Sequence, residues 1–230
     1  MAVIRGVKEW PQRGGELFDR AQAYTTTPGQ NGWTIADTSA AGTPTYLNIT
    51  EDGGAAKLTL ASTSEVENVC LYQNDVLPLD LASLQRIDFT VQVAAVDSVT
   101  TIVFGVGTAR NDTPDSVTVN AWFRMEGSAS TTNLLVETDD NVTDNDDKAT
   151  GQTLAAVYKT CSIDFSQGLA DVRFFIDGER VASGTTFSMT GITAGQNVQP
   201  IVQIQKASGT GVPSITIARI VAKYRYAYGV

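Results

Sequence analysis

The sequence predicts an all-β fold, an antiparallel β-sandwich, and three observations carry that prediction. Apolar and polar residues alternate in run after run: in "IDFTVQV", Ile87, Phe89, Val91 and Val93 share one face while Asp88, Thr90 and Gln92 take the other. The dipeptide Asp177-Gly178 in "VRFFIDGERVAS" reaches the positive φ values of a type I′ turn at little cost, so the chain reverses there. Charged residues make up only 18% of the chain. Ser, Thr, Gly, Asn and Val stand in their place, a composition that suits sheets and turns better than helices.

Residues 1–20 read as an N-terminal arm hinged at Pro11 and Gly14-Gly15, and residues 21–230 as one sandwich domain. Strands are expected over 57–60 and 69–72. The stretch "LPLDLASLQ" at 77–85 reads as one or two helical turns with Asp80 as N-cap. "TIVFGVG" follows with Ile102, Phe104 and Val106 in phase. "VTVNAWFRM" sends Val117, Val119, Ala121, Phe123 and Met125 inward and leaves Trp122 outward. A Trp on a sheet face stacks on sugar, packs beneath a loop or sits in a subunit contact. Further strands are expected over 134–137, through Cys161, Ile163 and Phe165, over 172–176 with Val172, Phe174 and Ile176 on one face, and over 200–205 and 214–226. In the last, Ile215 and Ile217 are out of phase with Ile220 and Ala222, which a β-bulge near Ala218-Arg219 reconciles.

The net charge of −9, from 25 acids and 16 bases, argues against nucleic acid as a partner. Fifteen acids face three bases between Glu65 and Asp147, whereas four bases and no acid follow from Lys206 onward. The body is acidic and both ends lean basic, which suits a solvated acidic face or ends that touch an acidic partner. Cys70 and Cys161 lie far apart without metal-ligand spacing and read as small buried hydrophobes, a bridge between them requiring that their strands face each other. No signal peptide and no apolar run long enough to span a membrane occur, so the chain is expected to be made and kept in the cytoplasm until lysis.

The order "FGVG", "AWFRMEG", "KTCSIDF", "ADVRFFIDGERV" and "QPIVQIQKASGTGVPSITIARIVAKYRY" resembles the second half of concanavalin A-like jelly rolls of the laminin-G and β-glucanase type, over roughly residues 45–226. The closing strand departs from the pattern, with "IARIVAKY" where an acidic residue often stands. This Thr/Ala-rich form also looks like virion structural proteins of tailed bacteriophages. That resemblance implies a non-enzymatic capsid decoration or cement protein that binds the major capsid protein through Arg5, Lys8, Trp10 and Arg13 of its arm. Its place would be the virion. Lys223, Tyr224, Arg225 and Tyr226 read as an interface edge of a homo-oligomer, a trimer suiting a capsid position, or as an edge strand kept soluble by its charges. The alternative is a carbohydrate-binding, lectin-like module of a phage fibre or tail, with Trp122 as its stacking platform.

Histidine is absent, which removes Ser-His-Asp and Cys-His catalysis and most zinc sites. Glucanases of the resembled fold carry two glutamates at alternate positions of one strand, about 5–5.5 Å apart when the enzyme is retaining. The near match here is Glu137-Thr138-Asp139, but Asn141 or Val142 stands where the second glutamate belongs. No catalysis is therefore expected. Asp139, Asp140, Asp144, Asp146 and Asp147 form a candidate calcium cluster, although Lys148 breaks the EF-hand order and no Glu closes it. Without a counter-ion these carboxylates repel one another, so an extended loop is expected there.

Overall fold

The computed structural model describes residues 14–18, 33–49, 55–193 and 195–224. Among them the chain forms strands β1 (Gly14–Phe18), β2 (Thr34–Asp37), β3 (Thr45–Ile49), β4 (Ala55–Thr59), β5 (Glu67–Tyr72), β6 (Leu79–Asp80), β7 (Leu84–Ala94) and β8 (Thr100–Gly107). A single 3-10 turn at Pro114–Ser116 precedes β9 (Val119–Glu126), β10 (Asn133–Asp140), β11 (Asp144–Thr153), β12 (Lys159–Asp164), β13 (Arg173–Ile176), β14 (Glu179–Val181), β15 (Asn197–Lys206) and β16 (Ser214–Tyr224). No α-helix occurs among the described residues, so none there is long and apolar enough to cross a membrane.

Two eight-stranded sheets face each other. The first runs β14-β13-β12-β7-β16-β4-β3, with β1 also paired to β16; the second runs β11-β10-β9-β8-β15-β5-β2, with β6 also paired to β15. The alternation read from the sequence places the core between them. Ile87, Phe89, Val91 and Val93 of the first sheet and Ile102, Phe104 and Val106 of the second are buried together. An aromatic file crosses the gap: Phe104 stacks on Phe123 at 5.3 Å, Phe123 meets Phe174 edge-on at 5.3 Å, and Phe174 meets Phe187 at 5.0 Å. Such pairs add about 0.5–1.5 kcal/mol each beyond the area they bury.

The turn chemistry is as expected. Asp177 and Gly178 adopt φ of 50° and 88° between β13 and β14, the left-handed pair that a type I′ turn requires. The register of β16 against β7 slips between Ile217 and Arg219, which turns both Ile217 and Ile220 inward. Cys70 and Cys161 are free and buried, one in each sheet.

Three expectations are corrected. The stretch 77–85 is not helical: Asp80 caps a tight turn, accepting from Ala82 N at 3.0 Å and Ser83 Oγ at 2.6 Å, and Leu84 then opens β7. Val117 does not point into the sandwich; it packs with Val103 and Trp122 outside the second sheet. The acidic run is not a loop, because Asp144–Thr153 is a strand paired antiparallel to β10.

Candidate functional site

The outward face of the second sheet carries the polar chemistry. Cross-strand registers align its side chains in rows, since directly opposed residues point the same way. Asn120 of β9 stands opposite Asp139 of β10, which stands opposite Asp144 of β11. One step along, Trp122 stands between Gly105 of β8 and Glu137 of β10. A Cβ at Gly105 would lie 2.5 Å from the Trp122 backbone, so glycine there is what admits the close approach.

The segment 108–118, between β8 and β9, folds back across this face as a strap. Arg110 bonds Thr38 Oγ1 at 2.7 Å and also holds Asp112. Asn68 donates to Asp112 Oδ1 at 3.0 Å, and Gln203 donates to the Asn111 carbonyl at 3.0 Å. Asp115 pairs with Arg124. Val117 closes over Trp122, which is only 1% exposed. Of the three settings open to Trp122, beneath a loop is the one observed. The stacking platform is corrected on that ground, since a ring with both faces covered has none to offer a sugar. Its indole N–H donates to Glu137 Oε1.

Beside the strap lies a pocket of about 160 Å³ lined by Asn120, Glu137, Asp139, Asp144 and Asp146, with Asp115, Arg124 and Asp147 at its wall. A β-bulge builds it. Between Val136↔Lys148 and Thr138↔Asn145, the single residue Glu137 is opposed by both Asp146 and Asp147. Arg124 is the cation among these acids, 3.3 Å from Glu137 Oε2 and 3.7 Å from Asp147 Oδ1. Burial works against its charge, yet Asp115, Glu137 and Glu126 hold the guanidinium protonated.

Burial pushes Glu137 up to about 7, although Arg124 and the Trp122 N–H favour its anion. Desolvation, then a hydrogen bond and repulsion from Asp146, push Asp144 up to about 6. Asp139 and Asp147 are raised too, burial being the larger cause. A carboxyl whose folded pKa exceeds its unfolded one stabilises the fold while protonated and loses that stabilisation as it ionises. Resistance to urea is therefore expected to fall between about pH 4.5 and 7. For Glu137 the loss is at most about 3 kcal/mol. Urea titrations across that window, repeated on Glu137→Gln, check it: an unchanged slope in the variant would assign the effect elsewhere.

The remaining candidates fall as follows. Asp140 points to the opposite face from Asp139; its oxygens accept from Val142 N and Thr143 N of the turn and from Gly191 N of a distant segment, and are spent there. It is removed from the calcium cluster. No three acidic groups among the described residues stand together at a metal-holding point. Lys223 and Tyr224 do not sit on a free strand edge, because β16 is flanked by β7 on one side and by β4 and β1 on the other. Lys223 lies 3.3 Å from Asp88, and Tyr224 packs against the core. Arg5, Lys8, Trp10, Arg13, Arg225 and Tyr226 lie outside the described residues.

No protein-family description matches the chain, and no curated protein matches it in sequence. Solved structures do match in shape. The carbohydrate recognition domain of Emp47p is 12% identical with a TM-score of 0.61, over 94% of this chain and 98% of that one. A glycoside hydrolase family 16 endo-glucanase from Bacteroides ovatus is 10% identical with a TM-score of 0.56, over 83% and 94%. The fold is the concanavalin A-like jelly roll. A carbohydrate esterase of the Shiga toxin-encoding bacteriophage phi24B is 15% identical with a TM-score of 0.51, over 93% of this chain and all of that one. These last two correct the expectation of a protein without catalysis, because enzymes acting on carbohydrate share this jelly roll over 83% and 93% of the chain.

The signal missed in the sequence was the bulge. Glu137 and Asp139 read as an incomplete strand motif, and the pattern of one strand does not show Asn120, Asp144 and Asp146 brought beside them by register.

Proposed function

We propose that the protein is a carbohydrate-binding module that takes sugar hydroxyls at the acidic pocket on the outward face of the second sheet. One observation carries this reading. Asn120 is 2% exposed, its amide nitrogen donates to the Val117 carbonyl at 2.9 Å, and its carbonyl oxygen has no partner beside Glu137 and Asp139. A pocket so rich in acceptors calls for a ligand that brings donors, and a sugar edge brings several on rigid carbons. The likeness to a carbohydrate recognition domain and to two carbohydrate-active enzymes supports the ligand class.

The setting is a virus particle, as a tail or fibre component; the likeness to a bacteriophage protein over its full length supports it. Attachment to a shell as a decoration protein would rest on the arm, whose expected contact residues lie outside the described region.

The test is a glycan array followed by titration calorimetry on the best ligand. Asn120→Leu and Asp139→Asn are each expected to weaken binding about tenfold or more, the first by loss of a buried acceptor and the second by loss of a half-buried carboxylate. Retained affinity in both would end this reading. Calcium is titrated in parallel, and tighter sugar binding with it that Asp144→Asn abolishes would assign the ion to the oxygens of Asp139, Asp144, Asp146 and Asn120. Incubation of the bound glycan, with products followed by mass spectrometry, separates binding from turnover.

A further inference from the structure

At the opposite end of the same face lies a second, larger cavity of about 560 Å³ that shares no lining residue with the acidic pocket. Its floor is one row of side chains across four neighbouring strands. Glu126 of β9 stands opposite Thr101 of β8, Thr101 opposite Gln205 of β15, and Gln205 opposite Asn68 of β5. The strap forms one wall through Asp112 and Thr113, while Val66 and Val99 supply apolar surface.

Asn68 marks this cavity as built for a ligand. It is 4% exposed, and both hydrogen bonds of its amide nitrogen go to Asp112, on the carbonyl at 3.3 Å and on Oδ1 at 3.0 Å. Its carbonyl oxygen is buried and unpartnered. A buried acceptor left empty is destabilising, and a donor arriving in the cavity would recover that loss. The rest of the row mixes both senses. Thr101 and Ser128 donate to the two Glu126 oxygens at 3.1 and 3.0 Å, leaving their hydroxyl oxygens as acceptors. The Gln205 carbonyl accepts from Gln203 at 3.3 Å, which leaves its amide hydrogens for a guest.

We propose that this cavity is a binding site for a neutral mono- or disaccharide, with one sugar hydroxyl donating to Asn68 Oδ1 and others meeting Thr101, Gln205 and Ser128. A volume of about 560 Å³ lies within the range of small-molecule pockets. The carboxylates of Glu126 and Asp112 line it, and Lys206, which also lines it, is spent on Glu67, so acidic sugars are repelled. Val66 and Val99 take the C–H face of the ring in place of an aromatic platform. The site rests on its own residues and survives failure of the acidic pocket as a sugar site.

Ligand-observed NMR with D-glucose, D-galactose, lactose and cellobiose as neutral probes, and D-glucuronate as the acidic one, tests this. At least one neutral probe is expected to bind, and Asn68→Leu to weaken it about tenfold or more. Because Asn68 also anchors the strap, Thr101→Val serves as the second variant and is expected to weaken the same probe. Gln167→Ala, exposed on the turn after β12 and lining neither cavity, is expected to leave it unchanged. Absence of binding by all neutral probes, equal binding by Thr101→Val, loss with Gln167→Ala alone, or tighter binding of glucuronate would each overturn the assignment.

Discussion

Phe123→Ala is expected to lower the unfolding free energy by about 3–5 kcal/mol. The ring is fully buried and is the middle link of the file that joins the two sheets, stacked on Phe104 and edge-on to Phe174. Truncation removes the transfer free energy of the ring, two aromatic contacts and the atoms that fill the gap between β9 and β13. The surrounding strands are held in register on both sides, so the void cannot collapse cheaply. Phe123→Leu keeps much of the volume and is expected to cost less than half as much. Urea unfolding with an unchanged m-value checks both; a loss under about 1 kcal/mol for the alanine variant would mean that the file is not continuous in solution.

The second large effect is expected at Lys206→Met. Lys206 and Glu67 face each other across β15 and β5 on the inward side, both side chains wholly buried, 3.7 Å apart. The ammonium also donates to the carbonyls of Ala61, Gly209 and Gly211. Glu67 accepts from Ala61 N and Thr63 Oγ1, each at 2.6 Å. Breaking such a pair leaves a charge in a low-dielectric site and costs about 3–5 kcal/mol. Removing both members, in Lys206→Met with Glu67→Leu, is expected to return part of that loss, because the orphaned carboxylate goes too. A double-mutant cycle measures the coupling. Additive losses would show that the two charges do not sense each other.

These two sites differ in how far the sequence foretold them. Phe104, Phe123 and Phe174 stand at alternate positions of apolar runs, and the period of two places them inward without further knowledge. The slip between Ile217 and Ile220 was legible for the same reason, as was the reversal at Asp177-Gly178. Lys206 and Glu67 end their strands on the core side, where period alone would ask for apolar residues. Only the loops that return over them, with carbonyls for the ammonium and donors for the carboxylate, make charge tolerable there. The strap hid the candidate site in a similar way. Val117 is in phase with Val119, so the strand pattern claimed it for the core, and nothing local tells that 108–118 lies across Trp122. Strand β11 was invisible because both its faces are polar: apart from Thr150 it buries almost nothing, and its pairing with β10 leaves no hydrophobic alternation.

Among the described residues that strand ends the order of the second sheet, so one of its sides is a row of backbone donors and acceptors on which a further strand could grow. Asp144, Asp146 and Asp147 stand along it, and mutual repulsion between two such rows keeps separate molecules from zipping together. The same carboxylates that line the acidic pocket thus guard the sheet against self-association. Whatever neutralises them, a proton or a bound cation, trades colloidal stability for occupancy of the site.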